Sequence, residues 1–183
     1  MTRDEALHIL KEYTKTDSLL KHAYAVESAM RAYAQKYMED IELWGSVGLI
    51  HDFDYEMYPG EHPYKGSEIL KDKGVSDEIR KAIMGHAEFT GVPRESRMSK
   101  VLFAVDELCG FIVAVTLVRP TRSLSEVKVK SVKKKLKDKS FAAKVNRDEI
   151  SKGAEELGVD FDEHIIFVVN AMAGIAGELG LNP

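Results

Sequence analysis

The sequence predicts an all-α protein, a helical bundle with a C-terminal helical extension. Three observations carry this. Apolar residues recur with helical spacing along nearly the whole chain. Helix start and stop residues punctuate that pattern at regular intervals. No run shows sustained strand alternation; Val127 to Val132 alternates briefly with lysine, but the capping pattern before it favours helix. A length of 183 residues fits one domain. Residues 1–120 are expected to form the helical, metal-binding domain, and the helices of 121–183 to pack onto it.

Each element has its own signal. Asp17 is placed to cap a helix whose apolar side holds Leu20, Ala23, Val26 and Met30, with His22 riding on it. A second helix is expected from near Asp40 to His51-Asp52. The stretch Phe53 to Glu61, with Pro59-Gly60, has loop composition. Pro63 suits the first turn of a helix that runs to Lys73 and stops at Gly74. Ser76 caps the next, with Asp77 and Glu78 favourable at its positive end and His86 near its last turn. A long helix from about Glu95 to Val118 follows, closed by Pro120, with Asp106 in its middle. Ser123-Leu124-Ser125-Glu126 is a capping-box pattern that should open a basic helix. Asn146-Arg147-Asp148-Glu149 opens another, ending at Gly158. Asp160-Phe161-Asp162-Glu163 opens the last, which is expected to reach Gly180.

Composition excludes several classes of function. Apolar residues are 44% and charged residues 31%, ordinary for a globular protein. A net charge of −4 gives no global attraction to nucleic acid or anionic membrane. The longest apolar stretch, Phe111 to Val118, is too short to span a bilayer. The charged start, Met-Thr-Arg-Asp-Glu, has no secretory character. One cysteine, Cys109, cannot form an intrachain disulfide and is expected to be a buried inert thiol. A cytoplasmic location follows as the expectation.

The chemistry concentrates in six residues: His22, His51, Asp52, His62, His86 and Asp106. Imidazole and carboxylate together suit divalent transition metals, and six such groups suffice for two ions. Asp106 stands on an otherwise apolar helix, and Asp52 follows Leu49-Ile50-His51. A buried carboxylate needs a partner, which a metal cation or an arginine supplies. Adjacent helical residues point about 100° apart. His51 and Asp52 therefore share an ion only at a helix end. With two oxygens, Asp52 is able to bridge two ions while His51 binds one.

The order His22, His51-Asp52, Asp106 resembles the H…HD…D signature of the HD-domain superfamily of metal-dependent phosphohydrolases, over roughly residues 15 to 115. The resemblance implies an HD-domain-like helical core with these four residues around a first ion. His62-Pro63-Tyr64-Lys65-Gly66, then Glu68-Ile69-Leu70, is similar to the segment after the HD pair in HD-GYP phosphodiesterases, and His86-Ala87-Glu88 to their next histidine motif. By that likeness His62 and His86 hold a second ion, bridged through Asp52. Asp54 and Tyr55 replace the HD-GYP glycine and lysine, and the signature tripeptide is absent, which argues against cyclic-dinucleotide cleavage. The same ligand order resembles the HD-type mixed-valent diiron oxygenases, the alternative reading.

The expected activity is hydrolysis of a small phosphate ester, a nucleotide first among them, by a metal-activated water. One or two divalent ions would serve, with Fe, Mn, Mg, Zn and Ni all open. Asp54 is the first choice of proton donor to the leaving oxygen, ahead of Glu56 and Glu61. Lys65, Arg94 and Arg97 are candidate phosphate-binding groups. The lysine-rich segment Lys128 to Lys139 has the composition of a solvated helix face, with an electrostatic lure for an anionic substrate as the sharper alternative. It lacks aromatic interleaving, so nucleic acid is not an expected partner. Neither is a membrane. The apolar final helix is available to close the core or to pair with a second copy as a homodimer.

Overall fold

The computed structural model describes residues 1–182, and every regular element among them is helical. They are α1 (Arg3–Tyr13), α2 (Asp17–Tyr37), α3 (Ile41–Ile50), α4 (Tyr64–Asp72), α5 (Asp77–His86), α6 (Arg97–Leu117), α7 (Val129–Leu136), α8 (Arg147–Leu157), α9 (Phe161–Ala173) and α10 (Ala176–Leu179). Short 3-10 turns cover Glu88–Thr90 and Leu124–Glu126. None of the described helices is long and apolar enough to cross a membrane.

Local chemistry accounts for most boundaries. Asp40, Ser76, Ser96, Asn146 and Asp160 each accept a backbone N–H from the first turn of α3, α5, α6, α8 and α9. Thr2 and Glu5 form a complete capping box for α1. That helix was not anticipated, although Thr2-x-x-Glu5 is its signal. Thr16 precedes α2 without a side-chain cap; Glu56 does the work instead, its Oε2 accepting from the N–H groups of Lys15 and Thr16 at 2.7 and 3.1 Å.

Two expected boundaries need correction. The Ser123–Glu126 run opens no regular helix. Ser123 Oγ pairs with Ser125 Oγ, and Glu126 accepts from Thr121, so neither half of a capping box forms and the basic helix starts later, at Val129. The last helix does not reach Gly180 unbroken. It ends at Ala173, where Gly174 and Gly177 lower helix propensity, and a single turn, α10, resumes at Ala176.

The two 21-residue helices, α2 and α6, form the frame. α3 lies on α2, and its residues from Trp44 to Ile50 are all buried. Gly48 permits this crossing: a Cβ there would meet Glu27 Cα at 3.0 Å. α5 and α8 flank α6, and α9 packs against both α2 and α6. The helices after residue 120 share one core with the rest, Ile150, Ile165, Val168 and Met172 joining Met30, Leu102 and Leu108. Cys109 is buried there, and burial pushes its thiol well up from the ordinary value. Helix α7 keeps only Val132 buried. Its lysines face outward, Lys133 pairing with Asp162 at 2.8 Å and Lys135 lying over Phe141.

Candidate metal centre

Five segments deliver donors to one place: α2 brings His22, the end of α3 brings His51 and Asp52, the following turns bring His62, α5 ends in His86, and α6 carries Asp106 at its middle. His22, His51, Asp52 and Asp106 offer one ligand atom each, all within 4.8 Å of one another. Asp52, His62 and His86 make a second such group. Both groups are able to hold a metal ion, and Asp52 belongs to each.

The geometry divides the two oxygens of Asp52. Oδ1 lies 3.2 Å from His62 Nε2 and 3.1 Å from His86 Nε2. Oδ2 faces the other way, 3.6 Å from His51 Nε2 and 3.9 Å from His22 Nε2. Asp106 Oδ1 completes the first group at 2.9 Å from His22 Nε2 and 3.3 Å from His51 Nε2. His51 is the C-cap of α3, directly after Ile50, and Asp52 follows it in the turn, so the adjacent pair meets at a helix end.

The far sides of the rings fix which nitrogen is free. His51 Nδ1 donates to Gly48 O at 2.8 Å, and His86 Nδ1 donates to Ile83 O. His62 Nδ1 donates to Asp54 Oδ1 at 2.8 Å. With a proton on Nδ1, each neutral ring presents the Nε2 lone pair to the centre. His51 Nε2 is buried and has no hydrogen-bond partner among the described residues. A lone pair facing carboxylate oxygens at these distances demands a positive charge between them, which a proton or a metal cation supplies. Imidazoles and carboxylates around a shared aspartate fit divalent metal ions.

The electrostatics follow from this crowding. Burial opposes charge on Asp52 and Asp106, but the neighbouring histidines outweigh it and hold both carboxyls well below the usual range. Burial likewise opposes charge on His86, yet Asp52 and Asp106 prevail and push it up to about 9. His51 shifts in the same direction against the same opposition.

Asp54 requires correction as a proton donor. Its side chain is 1% exposed, and both oxygens are committed: Oδ1 to His62 Nδ1, Oδ2 to the Gly66 N–H at 2.7 Å. Nothing is left to face a substrate. Glu56 caps α2, and Glu61 is exposed outside the cavity. The phosphate-binding expectation for Lys65, Arg94 and Arg97 is corrected too, since none of the three lines the cavity over the donor atoms. Lys65 pairs with Glu68 at 3.0 Å. Arg94 forks onto Glu156, both bonds 2.7 Å, and lies over Phe103. Arg97 lies over Tyr37 and pairs with Glu39.

That cavity measures about 320 Å³. Its walls include Tyr55, Phe89, Glu107, Asn146 and Glu149, none of which the sequence marked as a site residue. Glu107 had a signal, being a second carboxylate beside Asp106 on an apolar helix. Burial, with Asp106 adding repulsion, raises it to about 7. Glu149 had none, because its position depends on how α8 packs on α6. No protein-family model matches the chain, and no solved structure matches it.

Proposed function

We propose that this protein is a metal-dependent phosphohydrolase of the HD-domain type that acts on a small phosphate ester. The observation that carries the reading is Asp52, whose two oxygens face two separate donor groups. Five further donors around a shared carboxylate suit a dinuclear hydrolase. Two divalent cations bound there lower the pKa of a water molecule and neutralise phosphoryl oxygens.

The chain's own residues do the rest. The Gly48 and Ile83 carbonyls and the Asp54 carboxylate keep the protons of His51, His86 and His62 on Nδ1, so that Nε2 faces the centre. The His51 and His86 rings meet edge-on, at an interplanar angle of 87°. The cavity volume of about 320 Å³ is at the low end of small-molecule sites and favours a compact ester over a dinucleotide.

The test is metal reconstitution followed by a screen of small phosphate esters. Two ions per chain, phosphate release, and loss of both in Asp52→Ala are the expected results. A mixed-valent diiron spectrum with oxygen uptake and no phosphate release would replace the hydrolase with the oxygenase alternative. Protein that binds no metal at these residues ends both readings.

A further inference from the structure

One wall of the cavity has no part in holding metal. Glu107 on α6 and Glu149 on α8 face it together. Asn146 lies between them; its backbone N–H donates to Glu107 Oε2 at 3.3 Å and its Nδ2 to Glu149 Oε1 at 2.7 Å. Each carboxylate is thus anchored by one oxygen, and neither meets a lysine or arginine among the described residues. Glu88 at the rim differs, because Lys152 pairs with it. The same cavity is lined by two aromatic rings that burial does not explain. Phe89 is 71% exposed and Tyr55 46% exposed. Among the described residues no lysine or arginine lines the cavity.

An acidic wall alone identifies no ligand. Here it rises over a floor that does: the buried, unpartnered His51 Nε2 faces the donor groups beneath. Divalent cations held by those donors would take the anionic end of a substrate. A phosphate at the wall would be repelled by both carboxylates. Carboxylates that share a cavity with exposed aromatic rings instead complement a positive charge, by ion pairing and by attraction to the ring faces. A neutral nucleobase would stack on the rings but gain nothing from the two acids.

For the identity of its anionic end this inference rests on the phosphohydrolase reading. We infer that the substrate is a small ester whose far end carries an ammonium group, which meets the cavity side of Glu107 and Glu149 and the rings of Tyr55 and Phe89.

The experiment uses ligands that carry no phosphate, so it is independent of hydrolysis. Equilibrium binding of choline and of its neutral isostere, 3,3-dimethylbutan-1-ol, is measured on the manganese-loaded protein. Choline is expected to bind about fivefold or more the tighter. Glu149→Gln and Glu107→Gln, which keep size and hydrogen bonding, should each bring the ratio toward one. Equal affinities, undetectable choline binding, a preference for adenosine, or a choline preference that survives both substitutions overturns the inference. A second arm compares phosphocholine with 3,3-dimethylbutyl phosphate in turnover. Choline discrimination without phosphate release from either ester leaves the ammonium site standing and removes the hydrolase.

Discussion

His62 Nδ1 donates to Asp54 Oδ1 at 2.8 Å, and this bond turns the opposite nitrogen of His62 onto Asp52, 3.2 Å away. Asp54 itself is locked from behind by the Gly66 N–H. A chain of three contacts therefore runs from a helix backbone to the second donor group. Carboxylates behind ligating histidines fix the tautomer and raise the basicity of the ring.

Asp54→Asn should lower affinity for the second ion by about 10–100-fold while sparing the first. Titration with manganese, followed by metal analysis, should show one tight ion per chain where the native protein binds two. Gly66→Ala should act alike, because its Cβ would fall 2.7 Å from Asp54 Cγ. Two tight ions in both variants would remove Asp54 from the metal centre.

Asp52 should prove unequal to every other donor. His86→Ala strips the second group only, and His22→Ala the first only. Asp52→Ala takes an oxygen from each. The expected stoichiometries are one, one and none at a metal concentration that saturates the native protein. Binding of a single ion by Asp52→Ala, equal to that of His86→Ala, would show that the carboxylate does not bridge.

How far the sequence revealed this centre depends on how local each signal was. The six donors were legible because imidazole and carboxylate have few other reasons to appear on apolar helices, as Asp106 does on α6. Asp54 was visible but misassigned. Proximity to Asp52 suggested a proton donor open to the substrate, whereas the turn after α3 folds inward and buries it. Arg94 and Arg97 looked free because their partners, Glu156 and Glu39, lie 62 and 58 residues away in the chain. The cavity walls were least legible of all. Glu149 reaches the site only because α8 packs against α6, where Gly153 meets Ala104. Local capping was more reliable, yet it failed at Ser123, whose hydroxyl found Ser125 instead of a backbone N–H.

The α6–α8 contact makes a prediction about stability. A glycine inside a helix usually gains about 1 kcal/mol on replacement by alanine. Gly153 should reverse that sign, since a Cβ there would lie 2.6 Å from Ala104 Cα, and backbone cannot yield as a side-chain tip can. Overpacking of this kind costs about 1–3 kcal/mol. Gly60→Ala, with open space around it, should change stability by less than about 0.5 kcal/mol. Urea denaturation of the two variants checks the contrast, and a Gly153→Ala protein as stable as the native one would show that the helices are free to separate.

Away from the metal donors, His164 should set part of the acid limb of stability. Its ring is buried and doubly bonded: the Tyr33 hydroxyl donates to Nδ1 at 2.6 Å, and Nε2 donates to Ala104 O at 3.0 Å. That pattern satisfies the neutral ring and leaves no place for a second proton. Burial accordingly lowers the His164 pKa below 6.5. The unfolded chain then binds more protons than the folded one just below pH 6.5, so stability is full above that pH and declines as pH falls. One such group contributes a slope of at most about 1.4 kcal/mol per pH unit. His164→Gln should be less stable at pH 7.5 but should lose less on going to pH 5.5 than the native protein does. Parallel pH profiles for the two proteins, measured by urea denaturation without metal, would mean that His164 takes up its proton as readily in the folded chain as in the unfolded one.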